Sequence, residues 1–153
     1  MMIKNNQLLE FYNLLSFRGK IAHCSQDSVI SKMIQLIVGQ GASKNGPVIT
    51  TTYSVEQTGN QLMMDIEVLI PVNKIIEVTN DYTFKPHFRL ENAVSLKHEG
   101  APNNIQKSAD KLMKYIYENK LTPITTGYNV FSDCNEGEMI NIDMYVGVSS
   151  NIL

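Results

Sequence analysis

The chain has 153 residues, 43% of them hydrophobic and 18% charged, with a formal net charge of −2. It is long enough to bury a core and too apolar to be disordered. Its Lys and Arg form no basic stripe, no apolar run is as long as a membrane span, and the start MMIKNNQLLEF lacks the apolar core of a secretory signal, so nucleic acid, membrane and export are all disfavoured.

In chain order, Gln7 to Arg18 (QLLEFYNLLSFR) fits a strand, although Leu8, Phe11, Leu14 and Leu15 also keep helical spacing. A later stretch decides between the two. Asn92-Ala93-Val94-Ser95-Leu96-Lys97 mirrors Asn13-Leu14-Leu15-Ser16-Phe17-Arg18, and around the second copy Phe88, Leu90, Val94 and Leu96 hold period two. Both are read as strands. A helix follows, capped by Ser25 or Asp27, with Val29, Ile30, Met33, Ile34 and Ile37 at helical spacing and Gly39 or Gly41 as its stop. Its counterpart starts at Pro102-Asn103-Asn104, carries Ile105, Ala109, Leu112, Met113 and Ile116, and stops at Asn119.

After Pro47 and after Pro123 runs a β-branched strand, Val48 to Val55 and Ile124 to Phe131. Thr51-Thr52-Tyr53-Ser54-Val55 aligns with Thr126-Gly127-Tyr128-Asn129-Val130. Turns rich in Glu, Gly and Asn lead to a last pair of strands, MMDIEVLIPV at Met63 to Val72 and MINIDMYVGV at Met139 to Val148. In the first, Met64, Ile66, Val68, Ile70 and Val72 share a face; in the second, Ile140, Ile142, Met144, Val146 and Val148 do. The opposite faces carry matched acids, Glu67 and Asp143.

The pattern predicts one α+β domain over residues 1–153, a tandem β-α-β-β repeat with pseudo-two-fold symmetry. Repeat 1 covers about 7–73, a linker 74–84 and repeat 2 about 85–151. The linker is a candidate for an extra edge strand. A curved antiparallel sheet would carry both helices on one face, and the acid-bearing faces would look across a central cleft. Cys24 and Cys134 are too few for a disulfide framework and read as reduced thiols in a cytoplasmic protein. His23, His87 and His98 have no metal-ligand spacing, so no metal is assigned. No cofactor is assigned either.

These elements resemble the gyrase-inhibitor-like family of small-molecule-binding domains, which also serve as effector-binding domains of multidrug-sensing bacterial transcription activators. The likeness rests on His98-Glu99-Gly100-Ala101-Pro102 entering a helix, on Gly46-Pro47 before a Tyr-bearing strand, and on the endings Glu67-Val-Leu-Ile-Pro71-Val72 and Asp143-Met-Tyr-Val-Gly147-Val148. It implies that Asp143 sits in the cleft where the family usually has Glu, with Tyr128 and Tyr145 as neighbouring rings. Glu67 and Tyr53 mark the symmetry-related wall. Gly147 stands where the family usually has Pro. His98 is expected to position the loop before its helix.

The resemblance further implies a standalone, non-DNA-binding module that senses or sequesters a small, partly apolar, cationic or polar molecule. Two rivals stay open. One is a small-molecule hydrolase with Asp143 and Tyr128 as the acid–base pair. The other is an adaptor that holds a protein partner beside a toxin or secretion system. Assembly as a homodimer is open as well.

Overall fold

The stretch whose spacing also admitted a helix is a strand. In the computed structural model, which describes residues 3–79, 81–101, 104–131 and 140–149, β1 runs Ile3–Ala22. A 3-10 turn, His23–Ser25, leads into α1, Gln26–Gly39, followed by β2, Val48–Thr58, and β3, Gln61–Pro71. Then come β4, Tyr82–Gly100, α2, Ile105–Glu118, β5, Thr122–Phe131, and β6, Ile140–Ser149. The linker gives no separate edge strand among the described residues, because from Tyr82 onward it is already β4. Part of the last turn (132–139), and with it Cys134 and Met139, lies outside the described residues. No helix of the described residues is long and apolar enough to cross a membrane.

β1 and β4 are long because asparagine lets them bend without ending. Asn13 and Asn92 take φ of 57° and 50°, a left-handed conformation that Asn tolerates better than most side chains. They occupy matching places in the repeat. After Asn13, β1 pairs antiparallel with β3, from Leu14 opposite Pro71 to Arg18 opposite Glu67. After Asn92, β4 pairs with β6 in the same register, from Ala93 opposite Gly147 to Lys97 opposite Asp143. β2 pairs with β3, and β5 with β6. The architecture is α+β and antiparallel, with strand–helix–strand–strand written twice.

The chain packs as two compact units, one formed by Met1–Glu10 with Arg89–Leu153 and the other by Phe11–Phe88. The boundaries fall inside β1 and β4, so each long strand contributes to both units. In the unit 11–88, Leu15, Ile66, Val68 and Ile70 pack with Met33 and Ile37 of α1. In the other, Val94, Leu96, Ile142, Met144 and Val146 pack with Leu112 and Ile116 of α2. These are the faces that period two assigned to the core.

The helix ends follow local chemistry. Both close with a Schellman motif: Gly41 and Ala42 donate backbone N–H to Val38 and Ile37, and Lys120 and Leu121 donate to Tyr117 and Ile116. The residue that turns the chain has φ of 72° at Gly41 and 57° at Lys120. Ser25 precedes α1 but makes no side-chain cap bond, because the 3-10 turn leaves it helical at φ −94°, ψ −1° instead of extended. Asp27 sits in the first turn, where a negative charge suits the free amides.

Candidate functional site

In the unit 11–88, alternation along β3 puts Ile66 and Val68 against the helix and turns Glu67 to the other face. That face is buried too: Glu67 is 5% exposed, and its neighbours Ser16, Thr51 and Leu69 are equally enclosed. A carboxylate there is tenable only with partners. Glu67 has three. Ser16 Oγ donates to Oε2 at 2.6 Å, Tyr53 OH to Oε1 at 2.8 Å, and Lys85 Nζ to Oε2 at 2.6 Å. Ser16 comes from β1, two residues before Arg18, which stands opposite Glu67.

Tyr53 falls at the bulge between Thr52 and Ser54, and its hydroxyl reaches the acid from there. Lys85 precedes Pro86, which holds it extended and aims it from β4. Arg18 lies 3.7 Å over the Tyr53 ring and pairs with Asp65 at 3.3 Å, which locks the ring. Burial alone would raise the Glu67 pKa; the bonds from Lys85, Ser16 and Tyr53 together outweigh it and hold the carboxyl below its ordinary value.

The other unit has the same frame with different contents. On β6, Ile142 and Met144 are buried against α2 and Asp143 faces away, half-exposed. Lys97 of β4 stands opposite it, as Arg18 stands opposite Glu67, and Ser95 occupies the place of Ser16. Across β6, Val130 faces Asp143 and Tyr128 faces Tyr145. Among the described residues the Asp143 side chain makes no hydrogen bond or ion pair. It opens instead on a cavity of about 370 Å³ lined by Lys4, Gln7, Ser95, Lys97, Asp143 and Tyr145. Burial raises the Tyr145 pKa above its ordinary value, and the nearby Asp143 charge adds to that. The phenol therefore stays protonated and able to donate.

The expected site residues thus fall into two groups. Asp143 and Tyr145 share a cavity, with Tyr128 beside Tyr145 on the next strand but not in the cavity lining. Glu67 and Tyr53 share a hydrogen bond within the unit 11–88. Tyr53 and Tyr128 are not register equivalents: Thr51 stands opposite Glu67 and Val130 opposite Asp143, four residues away from the match of Thr51 with Thr126. Sequence reasoning also passed over Lys4, Gln7, Ser95, Lys97, Ser16 and Lys85. The serines and the Arg18/Lys97 pair were visible as matched positions flanking the core alternation. Nothing in the sequence brings Lys4 or Lys85 to an acid on a distant strand.

His98 is buried at the entry to α2. Its Nδ1 lies 2.7 Å from Ser108 Oγ and its Nε2 3.2 Å from the Ala101 carbonyl. Nε2–H donating to the carbonyl leaves Nδ1 to accept from the serine, which ties the loop to the helix as expected. Gly147, where the family usually has Pro, donates its N–H to Thr125 Oγ1 at 2.9 Å. Proline has no such proton, and a Cβ at 147 would come within 2.9 Å of Leu90 Cδ1 and 3.0 Å of Thr125 Cγ2. Among the described residues no three His, Cys, Asp or Glu side chains converge as metal ligands.

No protein-family model and no curated protein matches the sequence. Solved structures do. The C-terminal domain of EcmrR superposes with a TM-score of 0.73 at 15% identity, covering 99% of this chain and 100% of that one. EcmrR in its complex with DNA gives 0.76 at 16% identity over 97% of this chain, which spans only 58% of the EcmrR chain. A hydrolase from Listeria innocua gives 0.61 at 10% identity, over 97% of this chain and 91% of that one. At such identities the likeness is one of fold.

Proposed function

We propose that this chain, whose fold is that of the gyrase-inhibitor-like effector-binding domains, binds a small molecule in the cavity beside Asp143. The observation that carries the reading is the contrast between two acids in one register. Glu67 is saturated by Ser16, Tyr53 and Lys85, whereas Asp143, on the matching strand of the other unit, faces a cavity and its side chain accepts no hydrogen bond among the described residues.

An acceptor beside a partly desolvated phenol suits a cationic or hydrogen-bond-donating group on the ligand, because pairing offsets the cost of removing the carboxylate from water. Tyr145 supplies ring surface, with a cation–π attraction of about 0.5–2 kcal/mol for a cation over its face. The cavity volume lies at the small end of the range for ligand pockets, about 300–1,000 Å³. Asp143 is the binding residue, Tyr145 the platform and Tyr128 the support beside it. The test is calorimetric titration of wild type and Asp143→Asn with small amines found by a thermal-shift screen. Asp143→Asn should weaken binding by roughly 1–3 kcal/mol, the worth of a charge-assisted contact, and leave the melting temperature nearly unchanged. Equal affinities would remove the reading.

A further inference from the structure

We infer that the ligand of the Asp143 cavity is amphoteric, with a cationic group for Asp143 and an anionic group, carboxylate or phosphate, for Lys4 and Lys97. The inference rests on the proposed binding role of the cavity and adds the chemistry of its other end.

The lining decides it. Among the described lining residues Asp143 is the one carboxylate, beside Lys4 and Lys97, so that lining carries a formal charge of +1. Ser95 and the protonated Tyr145 add two more hydroxyl donors. A simple monocation would pair with Asp143 and meet two ammonium groups across a small space. An amphoteric molecule satisfies both ends, and the ring of Tyr145 suits a flat apolar spacer between them.

Both lysines are free to serve. Among the described residues Lys4 has no ion pair. Among the same residues Lys97 pairs with Glu99 alone, at 3.4 Å, with both side chains more than half exposed, and such rim pairs hold a lysine weakly. The unit 11–88 shows the balanced alternative: Glu67 already has its own ammonium in Lys85, with donors to spare from Ser16 and Tyr53.

The experiment compares three probes that share a ring: benzylamine, benzoate and 4-(aminomethyl)benzoate. Each is titrated calorimetrically into wild type, Lys4→Ala, Lys97→Ala and Asp143→Asn. In wild type 4-(aminomethyl)benzoate should bind at least about tenfold tighter than benzylamine, a factor equivalent to about 1.4 kcal/mol. Lys97→Ala should bring it down toward benzylamine while leaving benzylamine no weaker, and Lys4→Ala should act in the same direction. If benzylamine binds as tightly as 4-(aminomethyl)benzoate and needs Asp143, the amphoteric ligand is wrong and the Asp143 site stands. If Asp143→Asn changes neither, or none of the three probes binds, both are wrong.

Discussion

Replacing Lys85 with Met removes the ammonium from Glu67 and keeps the length and apolar stem of the side chain. Stripping one partner from a buried ion pair costs about 3–5 kcal/mol when the remaining charge is left alone in a dry site. Two features reduce that here. The Lys85 side chain is 37% exposed, so water screens its share of the attraction. Ser16 and Tyr53 also continue to donate to the carboxylate after the change. About 2 kcal/mol is therefore expected at neutral pH.

The pH dependence follows from the depressed pKa of Glu67. The folded state holds this proton less tightly than the unfolded chain does. The stabilisation is therefore complete above the ordinary carboxylate pKa and is lost as pH falls through the depressed folded value. The Lys85→Met cost should shrink over the same acid range, as the protonated carboxyl no longer needs a cation. Urea denaturation of wild type and variant across that range reads both quantities. A cost below about 0.5 kcal/mol at neutral pH, within the usual range for surface substitutions, or a cost independent of pH, would refute the network as described.

Ile142→Ala, in a side chain 2% exposed against α2, should cost about 2–4 kcal/mol through lost burial and a residual cavity; denaturant midpoints measure it, and a near-zero change would mean the β6 faces are reversed. Gly147→Ala should cost about 1–3 kcal/mol, because the new methyl crowds Leu90 and Thr125, and its cost should be smaller when measured in a Leu90→Ala background. Lys120→Gly should raise stability by about 1 kcal/mol, since a left-handed φ of 57° strains a side chain and not a glycine; an unchanged or lower melting temperature would count against the Schellman assignment at α2.

The fold was legible because the repeat resolved what single segments could not. Leu8, Phe11, Leu14 and Leu15 admit a helix on their own, and only the match to Asn92–Lys97 made them a strand. The core faces of β3 and β6 follow from period two, since a one-residue slip would have buried Asp65 and Glu67 against α1. The surroundings of Glu67 were not legible. Alternation says which way a side chain points, not whether that side is covered. The three partners come from β1, β2 and β4, and one reaches the acid through a bulge that leaves no mark in the residue pattern of β2. Asp143 was singled out by its place in the motif, and the structure sets it in a cavity lining. The lysines around its cavity were missed because Lys4 is far from it in sequence and Lys97 reads as an ordinary exposed strand residue.

The central claim is that the two matched acids have different roles, Glu67 holding the protein's own lysine and Asp143 facing a ligand. Side-chain carboxyl and backbone amide resonances followed by NMR during titration with 4-(aminomethyl)benzoate test it most directly. Shifts concentrated on Ser95, Lys97, Asp143 and Tyr145, with Ser16, Tyr53, Glu67 and Lys85 unmoved, are the predicted result. Shifts centred on Glu67 and Lys85 would contradict it, as they would mean that the ligand displaces the internal lysine and that the saturated acid is the one that binds.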